Sequence, residues 1–462
     1  MTAVLGPRVV VAGTASGVGK TTVATGLMAA LARAGLRPAG AKVGPDFIDP
    51  GYHALACGPG SRPRNLDPWL CGPAAIGPLA GRAMAGAGVL VVEGVMGLFD
   101  GAADGRPSST ADVARLLGAP IVLVVDASAM SRSVAAVVSG FARFDPTVEV
   151  AAVVLNRVGS DTHEALLREA LGPVGIPVIG ALRRDERFTW RDRHLGLVPV
   201  AEQADEVAAS LDRLAVAVAA QVDVEAVMAL ARRAPEVATG PVALPGPGPL
   251  TGDGPPVRVA VAAGPAFTFT YTDTVEALEA GGAEVVAFDP RRDEVLPAAV
   301  AGLVAGGGFP EVYAAELAAN RPLLDDVRRR VGTGTGIVTW AECGGLLWLC
   351  RSLHGHAMAG VVPADATMAG RLTLGYRTAT TATETFLGPP GTELTGHEFH
   401  YSTVSPAGDA LVLASRWGER REGWAGPGLL ATYLHHHPGG DPSAVAAFLT
   451  ACRHAAARLG HR

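Results

Sequence analysis

Two stretches of this 462-residue chain hold residue types that can do chemistry. The first is Gly13-Thr-Ala-Ser-Gly17-Val-Gly19-Lys20-Thr21-Thr22, set between the apolar run Arg8–Ala12 and an Ala/Leu-rich stretch. Backbone N–H groups of a glycine-rich turn at a helix start surround phosphate oxygens. Gly17 and Gly19 shape the turn, Lys20 reaches the β- and γ-phosphates, and Thr21 with Thr22 opens the helix, the Thr21 hydroxyl holding Mg2+. A phosphate-bearing ligand with Mg2+ is what this loop predicts. The second stretch is Trp340-Ala-Glu-Cys343-Gly344-Gly345, an apolar run, a cysteine and two glycines ahead of a helix. That is the layout of a nucleophile on a sharp strand-to-helix turn. The glycines allow the strained backbone, and the helix start is expected to lower the thiol pKa.

Carboxylates stand where strands should end. Asp46 and Asp49 follow Pro38–Val43, Glu93 follows Val89–Val92, and Asp100 closes Leu98-Phe-Asp100-Gly101. Ligands of an open α/β sheet bind outside the carboxyl ends of its strands. Asp46 and Glu93 are therefore expected to join Thr21 around Mg2+, with Asp100 nearer an acceptor substrate. Lys42 reads equally as a phosphate partner or a surface residue. Asn156, after Val150–Leu155, stands where nucleotide-binding folds often place base-recognising groups.

A cysteine nucleophile needs a base. Histidines cluster late, at His397, His400 and His435-His436-His437. The apolar run Ala431–Leu434 delivers His435 as the base, and His437 is the alternative. The three-histidine run also resembles a metal site, but successive strand residues face opposite sides. Gly306-Gly307-Gly308, after another strand, offers backbone N–H groups to an oxyanion.

The elements that must position these residues fall into two sets. Arg8–Ala12, Val89–Val92, Ile121–Val125, Val150–Leu155 and Pro177–Ile179 read as buried strands alternating with helices, so a parallel sheet covered on both faces is expected. Glu202–Arg233 reads as one long helical region. The Pro/Gly-rich segment 235–256 reads as a linker between domains at 1–234 and 257–462. Beyond it, Val257–Ala262, Glu284–Phe288, Gly302–Ala305 and Ile337–Thr339 restart the pattern, with helices at Thr274–Ala280 and Glu311–Arg330. Leu411–Ser415 and Leu430–Tyr433 suggest that the second sheet is mixed. The expected fold class is α/β, in two domains.

Composition narrows the function. The net charge is -6, which speaks against a nucleic-acid partner. Five cysteines without a CxxC pair suggest neither a disulfide framework nor structural zinc. No apolar run approaches the roughly 18 residues that span a bilayer, and the N-terminus lacks a secretory pattern. A soluble cytoplasmic protein without a membrane partner is expected.

The phosphate loop departs from G-x-x-x-x-G-K-[ST], with Thr14 where glycine is usual and Gly13 before it. It resembles dethiobiotin-synthetase-like loops. A cysteine turn followed by a strand-delivered histidine resembles class I glutamine amidotransferases. Those usually carry His-x-Glu; here the third position is His437, so the base is expected to lack its usual carboxylate partner, making glutaminase activity slow or dependent on the other half. GTASGVGKTT, KVGPDFIDP, NLDPWL, VEGVMGLFDG, GGGFPE, AECGGLLWL, LGYR, GHEFHYS and ATYLHHH occur in that order. Together they resemble the cobyrinic/hydrogenobyrinic acid a,c-diamide synthase family, over nearly the whole chain. The resemblance implies ATP- and glutamine-dependent amidation of two acetate carboxylates on a corrin polycarboxylic acid, with Cys343 and His435 in glutamine hydrolysis. It places Asp46 and Asp100 beside the acceptor carboxylate. A homodimer is compatible with it. Two other readings stay open: the same chemistry on a cobalt or nickel tetrapyrrole, and a P-loop regulatory ATPase joined to an inactive amidotransferase domain.

Overall fold

The computed structural model describes residues 3–185, 192–193, 196–202, 204–241, 256–331 and 336–460. The chain divides into two compact units, 1–242 and 243–462.

In the first unit, seven strands form one sheet: β1 (Arg8–Gly13), β2 (Pro38–Val43), β3 (Arg64–Leu66), β4 (Val89–Glu93), β5 (Ile121–Asp126), β6 (Val150–Val158) and β7 (Val178–Arg183). Their order is β3-β2-β4-β1-β5-β6-β7, and every pairing is parallel. Val9–Val11, Val89–Val92 and Ile121–Val125 are wholly buried, as a parallel sheet covered on both faces requires. Helix α1 (Lys20–Arg33) follows β1, and α2 (Asp49–Cys57) follows β2. Parallel strands bring the ends of β1, β2, β4 and β6 to one edge, which gathers residues distant in the chain.

Two expectations change here. The region read as one helix is two, α3 (Ala204–Gln221) and α4 (Val224–Arg233). The side chain of Asp223 accepts the Ala226 N–H and starts a new helix. Val222 meanwhile bridges to Gly180 of the sheet. The start of the expected linker also belongs to the first unit: Ala238–Thr239 pairs antiparallel with Ala3–Val4, and the Arg8 guanidinium donates to the Pro235 carbonyl. The rest of that segment, 242–255, lies outside the described residues.

The second unit has a sheet of β8 (Val257–Ala262), β9 (Ala283–Phe288), β10 (Val300–Ala305), β11 (Val338–Glu342) and two strands from near the chain's end, Trp424–Gly426 and Leu429–Thr432. Its order is β9-β8-β10-β11 followed by Leu429–Thr432 and Trp424–Gly426; only the last strand is antiparallel. Alternate residues of β8 enter two cores. Val259 and Val261 pack with Phe448 and Leu449, while Ala260 and Ala262 pack with Leu317, Leu346 and Trp348.

The expected helix over 311–330 breaks at Asn320 into Ala314–Ala319 and Arg321–Val331. Pro322 fits the second helix's first turn but would disrupt the interior of one continuous helix. The single mixed sheet is also corrected. Leu411–Ser415 belongs to a separate sheet with Asp365–Thr381, Glu393–Ser405 and Gly418–Glu422. The two long strands carry Thr, Arg, His and Glu among their apolar residues, so they lack the continuous apolar runs that revealed the parallel strands.

Candidate active sites

The first site assembles where β1, β2, β4 and β6 end. Gly17 and Gly19 take φ values of 76° and 94°, conformations that L side chains rarely adopt. A Cβ on Gly19 would also fall 2.1 Å from the Asn156 Nδ2. That amide donates to the Val18 carbonyl at 2.9 Å. Asn156 thus ties the end of β6 to the phosphate loop. The Lys20 ammonium donates to the Ala15 carbonyl at 2.9 Å, so the lysine folds back over its own loop. Burial, then repulsion from Lys42, pushes Lys20 down to about 8, against the pull of Glu93, Asp49 and Asp100. Thr22 lies in the same first turn of α1.

Behind the loop is a buried ionic cluster. Lys42 and Glu93 are register partners on β2 and β4. The Lys42 Nζ is 2.8 Å from Glu93 Oε1 and 2.5 Å from Asp49 Oδ2. His53 Nε2 meets the other Glu93 oxygen at 2.7 Å. Thr21 donates its hydroxyl to Glu93 Oε1 at 2.6 Å. Burial opposes ionisation of Glu93, but Lys42 and His53 outweigh it and hold the carboxyl well below its usual range. Burial likewise opposes the charge on Lys42, and Asp49 and Glu93 overcome it. Lys42 is therefore interior, and its surface alternative is excluded. Burial, Asp46 and Glu93 together raise Asp49.

Of the three expected metal ligands, Thr21 and Glu93 are in contact. Asp46 is turned to the backbone, where its Oδ1 accepts the N–H groups of Ile48 and Asp49 at 2.7 and 2.9 Å. Among the described residues no group of three or more His, Cys, Asp or Glu is arranged to hold a metal. Thr21 and Glu93 nevertheless fit Mg2+, which takes one or two protein oxygens and completes its shell with phosphates and water. Asp100 is exposed, accepts the Gly97 N–H at 2.8 Å, and acts electrostatically on Lys20. Its loop is tied to the phosphate loop by a Leu98 N–H donated to the Gly13 carbonyl at 2.9 Å. Lys42 was legible only as an alternative, and the parts of Asp49 and His53 were missed. The available signal was a lysine inside the apolar strand PAGAKV, with Asp49 and His53 four residues apart on the next helix.

The second site sits at the ends of β11 and Leu429–Thr432. Cys343 has φ 47° and ψ -101°, and its N–H donates to the Thr432 carbonyl at 2.7 Å. A strained residue between a strand and a helix is what a nucleophile turn demands. The expected lowering of its pKa is overturned. Burial pushes the thiol strongly up and Glu311 adds to this, against the Gly344 N–H. The following helix, Gly344–Leu349, is only six residues long.

The glycine loop packs against this turn. A Cβ on Gly344 would come 3.1 Å from the Gly308 nitrogen, and one on Gly307 would come 2.5 Å from His435 Cε1. Loop, thiol turn and His435 are therefore adjacent. His435 is wholly buried, its ring stacked 5.0 Å from that of His397. The two residues also exchange backbone hydrogen bonds, His397 N–H to His435 O at 3.0 Å and the reverse at 2.8 Å. Burial, then His435 and His437, pushes His397 well down, so it is neutral. His437 faces elsewhere, with Nε2 3.9 Å from Asp273 Oδ2 and its ring against Tyr271. Glu342, which the sequence reading left without a role, lies 3.7 Å from His435 Nδ1.

A phosphate loop with a buried cation, in a chain that also carries a cysteine turn with an adjacent histidine, defines a nucleotide-using protein joined to a glutamine amidotransferase. Residues 9–198 match the CobQ/CobB/MinD/ParA nucleotide binding domain, and residues 258–442 match the CobB/CobQ-like glutamine amidotransferase domain. The hydrogenobyrinate a,c-diamide synthase of Streptomyces coelicolor is 49% identical, over 97% of this chain and 98% of that protein. The protein of the same name from Thermobifida fusca is 46% identical over 96% of each chain. The cobyrinate a,c-diamide synthase of Syntrophotalea carbinolica is 42% identical over 97% of this chain and 99% of its own. The chain belongs to the CobB/CobQ family, within its hydrogenobyrinate/cobyrinate a,c-diamide synthase branch. No helix among the described residues is long and apolar enough to cross a membrane.

Proposed function

We propose that this protein amidates the a- and c-carboxylates of hydrogenobyrinate, taking nitrogen from glutamine and driving each step with ATP. One observation carries the reading: relatives named for that reaction align over 96–97% of the chain at 46–49% identity. The two sites have the parts it needs. In the first, the γ-phosphoryl group passes to a substrate carboxylate oxygen and ADP leaves. Ammonia then attacks the acyl phosphate, and phosphate departs to leave the amide. The glycine loop and Lys20 hold the phosphates, with Lys42 as a fixed charge behind them. Thr21 and Glu93 would hold Mg2+, which supplies charge neutralisation. Asp46 shapes its turn and Asp100 faces the acceptor.

In the second site, the Cys343 thiol passes its proton to His435 as the sulfur attacks the glutamine amide carbon. A thiol kept neutral by burial needs this base. The Gly308 and Gly344 N–H groups serve the oxyanion. His435 returns the proton to the departing ammonia, and water then hydrolyses the thioester to glutamate.

The test is incubation with hydrogenobyrinate or cobyrinate, plus ATP and glutamine, read by mass. Two amidations of the metal-free acid, with ADP and glutamate formed in step, are expected. Amidation of cobyrinate alone would move the substrate to the cobalt form. ATP turnover indifferent to any tetrapyrrole, without glutamate release, would overturn the enzyme reading.

A further inference from the structure

We infer that Glu342 is the carboxylate partner of His435, taking the place that His437 leaves unfilled in the His-x-Glu pattern. The inference rests on the glutaminase role of the second site. Glu342 is the last residue of β11, directly before the nucleophile. Its carboxylate faces the histidine segment with both oxygens. Oε1 accepts the His436 N–H at 3.1 Å, and Oε2 lies 3.7 Å from His435 Nδ1. The first contact anchors the carboxylate to the backbone beside the base. The second is longer than a hydrogen bond, a spacing that catalytic pairs close once substrate is bound.

The His435 ring is also oriented correctly for this role. A Cβ on Gly307 would lie 2.5 Å from Cε1 and 3.3 Å from Nε2, so that edge faces the glycine loop where the glutamine carbonyl must sit. Nδ1 faces the carboxylate. An N–H at Nδ1 pointing to Glu342 leaves the Nε2 lone pair for the thiol proton, the division of labour that a third group enforces on a catalytic histidine. The competing acid is Asp273, but it lies beside His437. His397 stacks on the His435 ring and is held neutral, so it does not supply the negative charge.

Placing the acid before the nucleophile has a mechanical consequence. One strand end then sets both the thiol and the orientation of its base, so base and nucleophile move together. Glu342 is a positioning residue: it acts through His435 and does not touch the substrate.

The test uses the full chain and follows glutamate release, ammonia-dependent amidation and thermal unfolding. Glu342→Gln keeps the side-chain shape and an acceptor for the His436 N–H but removes the charge. Its glutaminase kcat should fall roughly 100-fold, at the low end of what a positioned base contributes. KM for glutamine should stay within about twofold, and ammonia-dependent amidation should be unchanged, because the loss is in orientation of the base and not in binding. Glu342→Ala should fall further and recover several-fold with added formate, a carboxylate small enough to enter the vacated space. Full glutaminase activity in Glu342→Gln overturns the proposal. So does a loss in both variants that formate does not restore, which would mark Glu342 as structural only. A wild-type protein that releases glutamate but amidates no corrin would instead break the substrate reading and leave this one standing. One that releases no glutamate at all would break the glutaminase role itself.

Discussion

The two sites use the same geometry with opposite electrostatics. Both lie at the carboxyl ends of parallel strands, on turns that force unusual backbone angles, at Gly17 and Gly19 in one and Cys343 in the other. The first holds one charged pair ready before any ligand arrives: Lys42 and Glu93 are buried, ionised and paired at 2.8 Å. The second holds its thiol and one flanking histidine neutral: burial pushes the Cys343 thiol up and the His397 imidazole down. The contrast follows the chemistry. Phosphoryl transfer handles charge that is present throughout, so fixed counter-charges serve it. Thioester formation creates charge only in passing, and a permanent thiolate beside Glu311 would be costly without a partner.

The largest effects should separate the two sites cleanly. Cys343→Ala removes the nucleophile, so glutamine-dependent amidation should fall at least about 1,000-fold while ammonia-dependent amidation persists. Lys20→Ala should lower amidation with either nitrogen source by roughly 100- to 1,000-fold, since a fixed phosphate charge is lost. Paired assays with glutamine and with ammonium check both. Loss of ammonia-dependent activity in Cys343→Ala would break the division of labour.

The same contrast explains what was legible in the sequence. The phosphate loop is contiguous, so Gly17 to Thr22 could be read from spacing alone, and Cys343 announced itself by its two glycines. Apolar runs made the parallel strands of both units visible. The antiparallel sheet of the second unit was not, because its long strands mix polar and apolar residues on half-buried faces. The long-range contacts within each site were hidden for a different reason. Lys42 with Glu93, and Glu342 with His435, join residues far apart in the chain that only strand register or chain-end packing brings together. The thiol's pKa direction was misjudged because a helix start is visible in sequence, whereas burial and the carboxylates around the sulfur are not.

Intermediate effects should test whether the first site depends on its preset charge. Glu93→Gln leaves Asp49 as the remaining ion-pair partner of Lys42, so the first unit should lose about 3 kcal/mol of stability, as breaking a buried ion pair does. Amidation should also drop roughly 100-fold with either nitrogen donor. Denaturant titration and the ammonia assay measure the two losses; unchanged stability would show that the pair is not ionised. Asn156→Ala removes the donor to the Val18 carbonyl beneath the phosphate loop. KM for ATP should rise about tenfold with kcat nearly constant, as for one lost buried hydrogen bond that shapes a binding loop. A change in kcat alone would move Asn156 from support to chemistry.

The smallest effect probes whether a buried acid of the second unit, Glu422, is held neutral as the thiol is. Glu422 is buried, and burial raises it to about 7 against hydrogen bonds from Thr432 and the Tyr433 N–H. A protonated Glu422 is therefore favoured by the fold. Its contribution to stability is complete below the ordinary value of 4.5 and fades as pH rises through about 7. Thr432 is also the residue whose carbonyl accepts the Cys343 N–H, so Glu422 hydrogen-bonds the residue that anchors the nucleophile turn. Glu422→Gln copies the neutral acid: its carbonyl can accept the Tyr433 N–H while its amide donates to the Thr432 hydroxyl. The wild-type second unit should lose about 1–3 kcal/mol between pH 5 and pH 8 that the variant keeps. Urea unfolding followed by tryptophan fluorescence at several pH values reads the difference. A pH slope that survives in Glu422→Gln would place the titration elsewhere, and would leave the Cys343 thiol and His397 alone on the neutral side of the comparison.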